Sequence, residues 1–113
     1  ETVGLAKALT VGAAYAITVG ANMATTVMMN QTQMVGMSQD ESVGKDKTVT
    51  VGEKITITCG ASVLTMDKDG IITLNGKDIT VTASGTVHVK ADGDVNVESA
   101  ANVNVKGSNI HMN

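Results

Sequence analysis

Between residues 1 and 60 the apolar side chains keep to odd positions. Twenty of the 30 odd positions are apolar against 7 of the 30 even ones, and five of those seven are Ala. A period of two is the mark of an extended strand with one face turned inward. A longer period is laid over it. Gly4, Gly12, Gly20, Gly36, Gly44, Gly52 and Gly60 are spaced by eight, with Met28 in the one remaining slot. They follow Val3, Val11, Val19, Val35, Val43, Val51 and Cys59, and Val27 precedes Met28. Thr2, Thr10, Thr18, Thr26, Thr50 and Thr58 open most of these triplets. Because eight is even, each repeat brings the same face back inward, which a seven- or nine-residue repeat would not do without a bulge. The pattern predicts strands of about 5–6 residues joined by Gly-bearing bends.

The second half keeps the rule with smaller side chains. Ile79, Val87, Val95 and Val103 are eight apart, as are Val81, Val89, Val97 and Val105. The other odd positions hold Ala83, Gly85, Ala91, Gly93, Ser99, Ala101 and Gly107, while even positions such as His88, Lys90, Asp92, Asp94, Asn96 and Glu98 form a solvated face. Two Val and two tiny residues per octad leave little volume inside, so this segment must approach something closely. Between the halves the parity slips. Leu64, Met66, Ile72 and Leu74 are even, and Asp67-Lys68-Asp69-Gly70 is a turn sequence. A hairpin or bulged corner is expected near 66–72, with a second bend at Asn75-Gly76. The chain thus reads as a single elongated domain over 1–113: Val-Gly octads at 1–60, an irregular hairpin or corner at 61–78, and narrow octads with a tip at 79–113.

Composition agrees with an all-β class. The 113 residues include 16 Val, 15 Thr and 7 Ile, types that favour strands, but one aromatic residue, Tyr15, and no Pro, Phe, Trp or Arg. A helix bundle and a collagen-like chain are both excluded. Net charge is −3 with no Arg, so nucleic-acid binding has no electrostatic basis. One cysteine permits no internal disulfide, and no apolar run approaches the ~18 residues of a membrane helix. The start at Glu1, without Met or leader, reads as a piece of something longer.

One octad cannot bury its inner face alone and must stack on others. A monomeric β-solenoid, a flat repeat sheet and an intertwined trimer are the competing solutions. Odd positions between 31 and 53 include Gln31, Gln33, Gln39, Glu41, Lys45, Lys47 and Glu53. A dry monomeric core would have to bury these at several kcal/mol per unpaired charge. Around a three-fold axis they would meet as rings, with Lys47 near Glu41 or Glu53, which favours the trimer.

The octads Thr10-Val11-Gly12, Thr18-Val19-Gly20 and Thr50-Val51-Gly52 resemble the valine-glycine repeat protein G (VgrG) family, the spike of the bacterial type VI secretion system. The run from Asp69-Gly70-Ile71-Ile72-Thr73-Leu74 through Asn75-Gly76-Lys77-Asp78-Ile79-Thr80-Val81 is similar to that family's C-terminal region. The resemblance covers essentially the whole chain, with Met28 and Cys59 as departures from the pattern. It implies an intertwined homotrimeric triple-stranded β-helix, or β-prism needle, acting as a non-catalytic, membrane-puncturing shaft. It further implies assembly in the bacterial cytoplasm, ejection into the medium or a target-cell envelope, and attachment to hub and tube through domains preceding Glu1. A trimeric adhesin stalk, a passive trimerisation module and a phage tail needle are the alternatives.

No cofactor is expected. His88 lies between Val87 and Val89 on the outward parity, and Asp92 and Asp94 read as a solvated corner, since the Gly-Gly-x-Gly-x-Asp calcium repeat is missing. Cys59 stands in an inward valine slot as a small apolar thiol. Met23, Met28, Met29, Met34 and Met37 read as gap filling. No Ser, Cys or His sits in a nucleophile motif, so no enzyme is expected. At the end, Asn109-Ile110-His111-Met112-Asn113 puts apolar residues on even positions. Three copies of His111 would reach a three-fold axis and hold a metal only if odd parity persists; if Ile110 and Met112 turn inward, His111 faces out and no metal is held. Three Ile110 and three Met112 would form a small apolar platform, and apolar patches on soluble proteins are usually contact surfaces. The family resemblance implies the partner: a conical tip protein of the proline-alanine-alanine-arginine (PAAR) repeat family, which carries effectors.

Overall fold

The octad bends are present, and they keep one phase from end to end. A computed structural model describes residues 2–113, as two units that meet in sequence at Lys47 and Thr48. In the first unit the chain bends at 4–5, 12–13, 20–21, 28–29, 36–37 and 44–45, and in the second at 52–53, 84–85, 92–93, 100–101 and 108. Met28-Met29 bends like its glycine counterparts, so Gly is not what makes the corner. Between these bends the octads carry neither helix nor assigned strand. No helix occurs among the described residues, and the class is all-β.

The octads are also alike in environment. Val3, Val11, Val19, Val27, Val35, Val43 and Val51 are each 44–48% exposed. In the second half Ile79, Val87, Val95 and Val103 form one class at 51–54%, and Val81, Val89, Val97 and Val105 another at 69–74%. An eight-residue translation therefore maps each unit's octads onto nearly identical surroundings. None of the described residues is buried.

Regular pairing is confined to 54–75. Strands β1 (Lys54–Cys59), β2 (Ser62–Asp67) and β3 (Ile72–Asn75) form a three-stranded antiparallel sheet in the order β1-β2-β3. The first reversal is a two-residue loop, Gly60-Ala61, in which Gly60 takes φ +56°. A positive φ at the first central residue is what a type II′ hairpin turn demands, and its twist suits antiparallel strands. The second reversal is the expected Asp67-Lys68-Asp69-Gly70 turn. Gly70 (φ +84°) donates its N–H to the Asp67 carbonyl (3.1 Å), and Asp67 N–H donates to the Ile71 carbonyl (3.2 Å). The Asp67 carboxylate accepts from the N–H groups of Asp69 (3.0 Å) and Ile71 (3.1 Å). An aspartate closing its own turn in this way is the Asx device. Past β3 the chain bends at Lys77, just after the expected Asn75-Gly76 corner.

The register explains the slip in parity. Ile55 faces Met66, Ile57 faces Leu64 and Cys59 faces Ser62, so odd residues of β1 share a face with even residues of β2. Leu64 then faces Leu74, and Met66 faces Ile72, so even meets even. One face of the sheet carries Ile55, Ile57, Leu64, Met66, Ile72 and Leu74. The other carries Lys54, Thr56, Thr58, Thr65, Asp67, Thr73 and Asn75, with Val63 its one apolar member.

Candidate functional site

Among the described residues strand pairing is confined to β1, β2 and β3, and the octads carry no ladder. Among the described residues, backbone hydrogen bonds outside the ladders number three, and all lie at the hairpins: the two at the Asp67 turn and Lys68 N–H to the Glu53 carbonyl (2.8 Å), which extends the β1-β2 ladder. Backbone N–H and C=O groups are obligatory hydrogen-bonding groups, and an open strand edge is a template for another chain. The described octads lie outside any ladder. The valines at Val3, Val11, Val19, Val35, Val43, Val51, Val87, Val95 and Val103, and the glycines Gly4, Gly12, Gly20, Gly36, Gly44 and Gly52, are all exposed. An added Cβ at any of those six glycines would meet nothing within 4 Å.

The whole surface makes the same point quantitatively. The chain exposes 12167 Å² where a compact 11.5 kDa monomer would expose about 5,800 Å² and an unfolded one about 16,700 Å². It therefore buries only about a quarter of the unfolded surface, against the roughly 60–70% of small independent domains. Both faces of the strands lack a covering layer within one chain.

Two local features stand out from the octads. Lys47 and Glu41, each about half exposed, form an ion pair at 2.5 Å. The expectation placed this pairing between copies; it is made within one chain, between odd positions six apart. Beside the sheet lies an open recess of about 260 Å³ lined by Val49, Val51, Glu53, Ile55, Met66, Asp67 and Lys68. It joins the last octad before the sheet to the sheet's apolar face. Sequence reading did not find it, because Cys59-Gly60 resembles one more octad corner. The available signal was the alternation of Ile55 and Ile57, then Leu64 and Met66, then Ile72 and Leu74, around two turn sequences.

At the other end, Asn109, Ile110, His111, Met112 and Asn113 follow the bend at Ser108 and are all exposed. Gly107 has a reason to be glycine. A Cβ there would lie 3.3 Å from the Asn109 carbonyl oxygen and 4.0 Å from Ile110 Cγ1, so the chain folds tightly back at its last corner. Ile110 (52%) and Met112 (88%) present apolar surface to solvent. His88, His111, Asp92 and Asp94 are exposed too, and Cys59 is an exposed free thiol on the sheet's apolar face. Among the described residues no three His, Cys, Asp or Glu side chains stand close enough together to hold a metal ion, and no helix is long and apolar enough to cross a membrane. No family model matches this chain, and no curated protein matches it.

Proposed function

We propose that the chain is one of three copies of an intertwined triple-stranded β-helix that serves as the non-catalytic shaft of a contractile injection apparatus of the type VI secretion kind. One observation supports the reading: among the described residues, octads that bend every eight residues and keep their valines half exposed carry no strand ladder. Three copies supply the missing neighbours. Each octad flank gains a ladder, and the inward Val and Gly positions gather about one axis. Such a shaft transmits thrust because bending it must break inter-chain hydrogen bonds along one side. The half-exposed Lys47–Glu41 pair is satisfied within one copy and does not itself call for a second chain.

The tip residues 109–113 are the docking end in this reading, offering Ile110 and Met112 with open backbone groups for a conical PAAR-type partner. Assembly takes place in the bacterial cytoplasm, and ejection carries the shaft through a target envelope. Native mass spectrometry of the folded protein should give three times 11.5 kDa; a folded single-chain mass refutes the shaft. Deleting residues 109–113 should leave the trimer intact and abolish capture of the conical partner in a pull-down. Undiminished capture places the docking surface elsewhere.

A further inference from the structure

We infer that the apolar face of the β1-β2-β3 sheet packs against other copies of this same chain, and that this contact fixes the register in which the copies assemble. The inference rests on the trimeric reading and adds to it a question the octads leave unanswered. The valines that precede the octad corners share one exposure within a few per cent, and the bends recur every eight residues. Copies displaced by one octad would therefore still present Val to Val, bend to bend and the same parity inward. Strands are held in register by the features that distinguish one position from the next, and a uniform repeat supplies few. Among the octads, only the polar inward positions between 31 and 53 and the smaller residues of the second half tell one register from the next.

The sheet is the part of the chain where strands reverse and pair instead of bending onward. Its apolar face carries Ile55, Ile57, Leu64, Met66, Ile72 and Leu74, of which Ile57, Ile72 and Leu74 are more than half exposed. A three-stranded sheet with one uncovered apolar face is marginal by itself and needs a layer against that face. A second copy fits for two reasons. The recess lined by Val49, Val51, Ile55 and Met66 makes the octad's inward surface continuous with the sheet face, so a chain that completes the octad runs directly onto the sheet. The surface left exposed, about twice that of a compact monomer, is on the scale of a whole missing layer. In the aligned assembly each sheet meets other sheets. After a one-octad slip it meets single extended segments, and much of the apolar face stays wet. The octad bends that flank the sheet, at 52 and 84, are four octads apart, so the sheet marks a position without shifting the phase of the octads on either side.

The test uses the full chain. With Cys59→Ser to remove the native thiol, a nitroxide at Asn96→Cys reports inter-chain distances by pulsed electron resonance. The parent should give one narrow distance. Adding Leu64→Thr and Leu74→Thr should leave the assembled mass unchanged and spread that distance into several, as slipped registers become populated. An assembled double variant with the parent's single narrow distance overturns the inference while leaving the trimer standing. A photoreactive benzoylphenylalanine at Met66 provides a second readout if the double variant fails to assemble. Chain-to-chain adducts support the contact, and a trimeric mass without them, or adducts to another protein alone, overturns it. A single-chain mass for the unaltered protein overturns the trimeric reading itself and the inference with it.

Discussion

Two residue types decide the local geometry, and each gives a measurable contrast. Gly60 and Gly70 occupy positive φ, where a Cβ is strained, whereas Gly12 and its octad equivalents have ordinary φ and open space around them within the chain. Gly60→Ala and Gly70→Ala should each cost about 1 kcal/mol per chain in denaturant melts. A smaller cost at both would mean that the turns relax to another type. The second contrast concerns valine. Under the trimeric reading Val95 faces the axis and Asn96 faces solvent. Val95→Asp would bring three like charges together and should cost about 3–5 kcal/mol per trimer, whereas Asn96→Asp should be nearly neutral. Equal melting temperatures for the two variants would show that inward and outward have been assigned to the wrong parity.

At the scale of elements, the sheet depends on how its second reversal is closed. The Asp67 carboxylate takes two backbone N–H groups, those of Asp69 and Ile71, which the loop itself offers no other acceptor. Asp67→Ala should remove both and cost about 1–2 kcal/mol, while Asp67→Asn, which keeps an amide oxygen, should lose less. Amide exchange reads this directly: the Asp69 and Ile71 protons should lose protection in the Ala variant before those of β1 do. Unchanged protection at both would mean that the backbone bonds Gly70 N–H to Asp67 and Asp67 N–H to Ile71 hold the turn unaided. The Lys47–Glu41 pair is a contrasting case. With each side chain about half exposed it contributes on the order of 0.2–1 kcal/mol, and added salt should erase most of that.

For the whole molecule, the governing fact is that no described residue is buried in a single chain. A chain in that condition has little to set against the conformational entropy of ordering, about 1–2 kcal/mol per residue for the backbone alone. Under the trimeric reading stability comes from association and is inseparable from protomer concentration. Thermal melts over a hundredfold dilution should show the transition temperature falling with concentration. A transition independent of concentration would mean that the chain folds by itself, and the surface argument would fail.

The octad, its even parity and the all-β class were legible from residue order alone, because both the two-residue strand alternation and the eight-residue bend are local in sequence. Val11-Gly12 and Val51-Gly52 report their corners without reference to anything distant. The hairpin at Asp67-Lys68-Asp69-Gly70 was legible for the same reason, since an Asp closing its own turn is a short-range device. Pairing was not. Cys59-Gly60 looks like every other octad corner, and only the ladder between Ile57 and Leu64 shows that the chain reverses there instead of bending onward. The slip of apolar residues to even positions looked like an irregularity, but it follows from a register that sets odd residues of β1 opposite even residues of β2. Which strands pair, and hence which residues share a face, depends on contacts between segments brought together by folding. The Val49–Met66 recess and the Lys47–Glu41 pair belong to that tertiary level as well, because each is made by side chains that the repeat by itself does not bring together.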